Sequence, residues 1–190
     1  MSPAAKATRV SHAHRSDGLG LTLRENGPAL LVPAAWGVAA GAVLGVVSAH
    51  ALFVAHVVMS VLLVAFVAAS WRDMATGVLR AWKLVILAGT PVTLAGVAGF
   101  LARDGTALPA DALLAVAFYG WMLLPAPAFG YTALRDPEGP RSAVHGVAAA
   151  CSVAGTAVAA LAGSSTGVVA GIALVGLGQT AGILAATALY

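Results

Sequence analysis

The sequence predicts an all-α integral membrane protein, a bundle of six transmembrane helices with both termini in the cytoplasm. The first observation is composition, since 60% of the residues are apolar and only 9% are charged. A soluble globular chain carries roughly 25% charged residues. So few charges cannot cover a surface that faces water, and we therefore expect the chain to be embedded in a lipid bilayer.

The second observation is the length of the stretches that lack Asp, Glu, Lys and Arg. Residues 84–102 and 112–134 are 19 and 23 residues long, which suits one crossing each, because a helix spans the bilayer core with about 20 residues. Residues 26–71 and 142–190 are 46 and 49 residues long, so each is expected to fold into a helical hairpin. The predicted spans are about 29–48, 52–71, 83–102, 112–133, 143–162 and 167–188.

Two turn signals divide the long stretches. The first hairpin is expected to turn near Ser48–Ala51, and the second at Gly163–Gly167, where glycines flank small hydroxyl residues. Residues 1–27 are read as a polar, basic cytoplasmic tail, and residues 28–190 as a single transmembrane domain.

The third observation is the sidedness of the basic residues. In the six-helix arrangement nine of the ten lysines and arginines lie on one side, and only Arg103 lies on the other. Basic loops stay in the cytoplasm, so this bias predicts that both termini are cytoplasmic and that the protein is a multi-pass protein of the plasma membrane. The net charge of +3 is therefore explained by the excess of basic residues on the predicted cytoplasmic side. No basic patch carries interleaved aromatic residues, and no nucleic-acid partner is predicted.

Glycines spaced four residues apart predict close helix packing. Such spacing places them on one helix face, where the absence of side chains lets two backbones approach. Three kinds of contact are compatible with these glycine faces: packing within the chain, a homo-oligomer, and docking of a membrane partner subunit. The glycines concerned are Gly37, Gly41 and Gly45 in the first predicted helix and two pairs in the last, Gly167 with Gly171 and Gly178 with Gly182.

The predicted spans contain no Asp, Glu or Arg, and the only Lys among them is Lys83, at the first position of the third span, which argues against several chemistries. Ion-coupled pumps and proton relays use intramembrane carboxylates, and retinal proteins use a lysine within a helix. No nucleophile with a paired base, phosphate loop or dinucleotide motif is present. The sequence therefore does not predict an enzyme.

The fourth predicted helix contains the strongest functional signal. Pro125 and Pro127 each lack an N–H group, so they are expected to interrupt the helix and to free carbonyl groups, which membranes tolerate only beside protein or a cavity. Pro91 predicts a second break in the third helix, where a neighbouring threonine hydroxyl is expected to bond back to the backbone. Broken helices with a few polar side chains are typical of midplane ligand sites. The polar candidates are Tyr119, Trp121, Thr93 and Gln179.

Two histidines, His50 and His56, stand near the first predicted turn. Bis-histidine haem ligation requires two rings at similar depth on facing helices, and these two meet that condition only if the turn folds back. No cofactor is predicted, and a haem or metal at these residues remains an alternative.

Three functional hypotheses follow. The first is a small permease or channel for a neutral or apolar solute, with a pocket among the third, fourth and sixth helices. The second is an accessory or assembly subunit of a larger membrane complex. The third is a haem- or metal-binding redox protein.

Overall fold

The computed structural model describes residues 30–103, 109–135 and 140–187. The predicted tail, residues 1–27, lies outside the described residues. Within them every regular element is a helix. The helices are α1 (Leu30–Val43), α2 (Ala49–Ser70), α3 (Gly77–Ala102), α4 (Ala110–Leu123), α5 (Ala126–Arg135), α6 (Pro140–Leu161) and α7 (Ser165–Thr187).

Five segments of the described chain are long and apolar enough to cross a membrane. They are α2, α3, the α4–α5 pair taken together, α6 and α7. The membrane helical class predicted from composition is therefore supported. The shorter α1 has 14 residues, or about 21 Å at 1.5 Å per residue, against a bilayer core of about 30 Å. The count of six spans and the cytoplasmic termini remain predictions.

The first helix ends five residues before its predicted boundary because Gly45 closes it. Gly45 adopts a positive φ of 75°. The N–H of Val46 bonds to the carbonyl of Gly41 at 2.9 Å, and the N–H of Gly45 to that of Ala42 at 3.0 Å. These two bonds form a Schellman motif, which requires a left-handed residue at the position of Gly45. Glycine adopts that conformation without steric cost.

The first connection, residues 44–48, lies earlier than the predicted turn, because α2 already begins at Ala49, and the second, residues 162–164, overlaps the start of its predicted turn. Ser48 caps α2 by accepting a hydrogen bond from the N–H of Ala51 at 3.1 Å. Ser164 does the same for α7, accepting from the N–H of Gly167 at 3.2 Å. Serine at such a position satisfies an N–H group that the first helical turn leaves without a partner.

The bundle is built on two helix pairs. The pair α6–α7 approaches closely where Gly155 and Gly171 face each other, since a Cβ on either would collide with the opposite backbone. The pair α3–α4 packs in the same way, with Gly99 against Leu114. The central core consists of Met122, Ala159 and Val175, with half-buried aromatic residues around it. Helix α2 lies at the periphery, against α3.

The basic residues of the connecting segments lie at one end of this arrangement. The connection from α2 to α3 carries Arg72, and the connection from α5 to α6 is flanked by Arg135 and Arg141. Arg103 follows α3 at the opposite end.

Candidate functional site

The interruption between α4 and α5 is the centre of the candidate site. Pro125 has no N–H to donate to the carbonyl of Trp121, and Pro127 has none for that of Leu123. The backbone bond from Leu124 to Gly120, 2.8 Å, closes α4, and the bond from Phe129 to Pro125, 3.0 Å, lies in α5. Pro125 is buried, whereas Pro127 is exposed. The freed Trp121 carbonyl therefore needs a donor from elsewhere in the chain.

Gln179 of α7 supplies that donor. Its Nε2 lies 3.3 Å from the carbonyl oxygens of Trp121 and Met122 and 3.4 Å from Oγ of Ser152. Its Oε1 accepts a hydrogen bond from Nε1 of Trp36, at 3.1 Å. Since the residue is only 4% exposed, one buried carboxamide joins α1, α4, α6 and α7.

Trp121 and Thr93 extend the same network towards α3. Nε1 of Trp121 donates to Oγ1 of Thr93 at 2.8 Å, and that hydroxyl donates to the carbonyl of Gly89 at 2.9 Å. The indole lies directly on Gly89, where a Cβ would overlap the ring. We call the connected residues, Trp36, Thr93, Trp121, Ser152 and Gln179, the polar centre.

The structure thus brings together three of the four polar residues singled out in the sequence. Tyr119, the fourth, is half-buried and packs against the apolar core, with its ring 5.0 Å from that of Phe118.

Two members of the polar centre, Trp36 and Ser152, were missed in the sequence analysis. Each had a signal, because a tryptophan near the middle of a predicted span and a serine in a charge-free helix both need a partner in a dry environment. Ser152 donates to the carbonyl of Ala148 at 3.0 Å and accepts from Gln179, so both functions of its hydroxyl are used.

Pro91 lies within α3 without ending it. The hydroxyls on either side, those of Thr90 and Thr93, bond back to the carbonyls of Ile86 and Gly89 at 3.0 and 2.9 Å. The side chain of Pro91 faces outward and lines a groove between α2 and α3.

The glycines of the last helix all make close contacts within the chain: Gly171 meets Gly155 and Ala159, Gly178 meets Cys151, and Gly182 meets the ring of Phe129. Those of the first helix differ. Gly37 has open space where a Cβ would stand, and Gly41 meets the side chains of Val46 and Val47. Gly45 lies beyond α1, in the turn already described.

The histidines are held separately. His50, in the first turn of α2, is exposed and 6.5 Å from the ring of Phe53. His56 donates from Nδ1 to the carbonyl of Leu52 at 2.8 Å and packs edge-on against Phe100 of α3, 5.4 Å between ring centroids. Within residues 30–103, 109–135 and 140–187, no group of three or more His, Cys, Asp or Glu side chains is placed to hold a metal ion.

Comparison with protein-family models, with curated proteins and with solved structures gave no match for this chain.

Proposed function

We propose that the protein is a small permease or channel for a neutral solute, which contacts the polar centre at the interruption between α4 and α5. The observation that carries the proposal is the carboxamide of Gln179 beside the carbonyls freed by Pro125. Interrupted helices near the bilayer midplane, with a few convergent polar groups, are the usual construction of a transport site.

The chemistry of the polar centre favours an uncharged solute. It contains an amide, two indole N–H groups, two hydroxyls and backbone carbonyls, and none of these carries a formal charge. A buried ion would require a charged partner or a ring of carbonyl groups. A small alcohol or amide matches these donors and acceptors.

The contacts of Gln179 are of a kind that a solute can replace. Its two N–H groups are shared among three acceptors at 3.3 to 3.4 Å. Typical N–H···O bonds are about 2.9 to 3.0 Å long, so each of these is weak. A solute hydroxyl or amide that takes over the freed carbonyls would exchange one weak hydrogen bond for another of similar strength.

The test is osmotic. Proteoliposomes are exposed to a step in glycerol, urea or acetamide concentration, and re-swelling is followed by stopped-flow light scattering. We expect the purified protein to accelerate entry of at least one solute over protein-free liposomes. Gln179→Leu should return the rate to the protein-free value, and Trp121→Phe, which keeps the ring but loses the N–H, should lower it.

The matched control is Thr180→Val. Its Oγ1 is buried with no hydrogen-bond partner in the described part of the chain, so this neighbouring polar deletion should leave the rate unchanged. Circular dichroism confirms the helical fold of each variant. Protein-free rates for all three solutes, or a folded Gln179→Leu with the wild-type rate, would contradict the proposal.

A second candidate, an accessory subunit, is favoured by a different observation. An open groove between α5 and α6 is lined by small residues, and small-residue faces allow a second transmembrane helix to approach closely. The lining residues are Ala126, Pro127, Ala149, Ala150, Val153, Ala154 and Ala157.

A photo-crosslinker at Ala150, within this groove, should then capture one defined membrane protein. The same probe at Leu177, which is 73% exposed on α7, should not. Equal labelling at both positions would exclude this role for the groove.

A further inference from the structure

A groove of about 430 Å³ runs between α2 and α3 on the outer surface of the bundle. Its walls are apolar apart from Thr90, whose hydroxyl is bonded to the carbonyl of Ile86. The lining residues are Val64, Val67, Ala68, Trp71, Leu87, Thr90 and Pro91. Both helices are long enough to cross a membrane, so the groove opens towards lipid acyl chains.

The groove begins at the basic end of the bundle. Trp71 directly follows α2, and the groove extends from it to Val64, about 10 Å along the helix axis. Tryptophan is enriched at the level of the lipid headgroups. The inner end of the groove therefore lies among acyl chains, and its outer end lies near the headgroups.

The outer end carries a fixed cation. Nζ of Lys83 donates to the carbonyl of Trp71 at 3.3 Å and lies 4.5 Å from the centroid of its ring. These two contacts hold the ammonium, which has three N–H donors, beside the groove mouth.

Two further cations lie close by. Arg80 is one turn before Lys83 on the helix face that reaches Leu87 in the groove, and Arg72 adjoins Trp71. From Trp71 to Lys83 the sequence contains these three basic residues and one acidic residue, Asp73, which gives a net charge of +2.

We propose that this groove binds an anionic phospholipid, with one acyl chain against Ala68 and Leu87 and the phosphate at Lys83, Arg72 and Arg80. Charge complementarity selects the headgroup, since basic sites between transmembrane helices bind anionic lipid headgroups. The apolar walls of the groove favour contact with a lipid acyl chain. An apolar partner helix would satisfy the walls but would leave the net charge of +2 on this segment uncompensated.

The test is native mass spectrometry of the full chain in micelles, incubated with equal amounts of phosphatidylglycerol and phosphatidylcholine that carry the same acyl chains. We expect the wild type to retain phosphatidylglycerol in preference. Lys83→Gln should reduce that preference about fivefold, because a basic residue near an anionic surface contributes about 1 kcal/mol. Adding Arg72→Gln and Arg80→Gln should abolish it. Arg103→Gln, at the opposite end, should have no effect.

A second pair of variants tests the groove itself without altering charge. Ala68→Phe fills it and should release the retained lipid, while Ala69→Phe, an exposed neighbour that does not line the groove, should not. Equal retention of the two lipids by the wild type would overturn the headgroup assignment. Retention by Ala68→Phe at the wild-type level would overturn the site.

Discussion

At the scale of single residues, one buried amide connects four helices of the described chain. Gln179 places its Nε2 among three acceptors and accepts from Trp36, so a polar side chain that is costly to bury is satisfied by four groups. Without it, the carbonyl freed by Pro125 would lack a donor among the described residues. The same side chain therefore serves the fold and, in our proposal, the solute.

We expect Gln179→Leu to lower the free energy of unfolding by about 1–3 kcal/mol, because it leaves the half-buried Trp36 N–H and Trp121 carbonyl without their partner. Unfolding in detergent by titration with sodium dodecyl sulfate measures this. Thr180→Val removes a hydroxyl that makes no hydrogen bond among the described residues, so it should cost nothing. A loss of equal size in both variants would show that the amide has no special role.

The sequence indicated three of the polar residues that need partners, but not which groups they would contact. Intramembrane Gln179, Trp121 and Thr93 could be found because each polar group stands out in an apolar helix. The bond from Trp36 to Gln179 joins residues 143 positions apart. No local pattern carries that information, because helix packing in three dimensions decides which helix faces α7.

At the scale of elements, glycine spacing proved ambiguous. Gly37, Gly41 and Gly45 share the four-residue spacing of Gly178 and Gly182, yet only the latter pair packs a helix against another element. Gly45 instead ends α1 through its positive φ. Spacing alone does not separate a helix face from a helix end, since both use the missing Cβ for different physical reasons. The break at Pro125 and the second hairpin turn were readable because proline and a capping serine act locally, whereas Pro91 does not end α3 and the first turn lies before its predicted position.

The close pair α6–α7 gives a test at this scale. Gly171→Ala places a Cβ against the backbone of Gly155 and Ala159, so we expect it to lower the free energy of unfolding by about 1–3 kcal/mol. Gly37→Ala, where the space is open, should be neutral or stabilise by up to about 1 kcal/mol through helix propensity. Equal effects in the same unfolding assay would mean that α6 and α7 are not closely packed.

At the scale of the whole molecule, the number of membrane crossings determines on which side of the membrane each basic segment and each terminus lies. Among the described residues five segments are long and apolar enough to span, and α1 is shorter. If α1 together with its flanking residues also crosses the membrane, both termini lie on the same side as Arg72, Arg135 and Arg141. If it does not, the two termini lie on opposite sides.

Reporter fusions distinguish an even from an odd number of membrane crossings. Green fluorescent protein fluoresces only in the cytoplasm, and alkaline phosphatase is active only outside it, so each is attached to each terminus and to the loop after Arg103. We expect cytoplasmic signals at both termini and an external signal at the loop. An external amino terminus with a cytoplasmic carboxyl terminus would reduce the count to five.

The central claim is that Gln179 connects α1 to the interrupted helix through a hydrogen bond with Trp36. NMR of the indole N–H groups in ¹⁵N-tryptophan-labelled protein in micelles tests this most directly. The chain has four tryptophans, and only Trp36 donates to Gln179. In Gln179→Leu the Trp36 resonance should move strongly upfield, with Trp121 moving less and Trp71 and Trp82 staying in place. In Thr180→Val all four should remain. An unchanged Trp36 resonance in the leucine variant would contradict the polar centre as described.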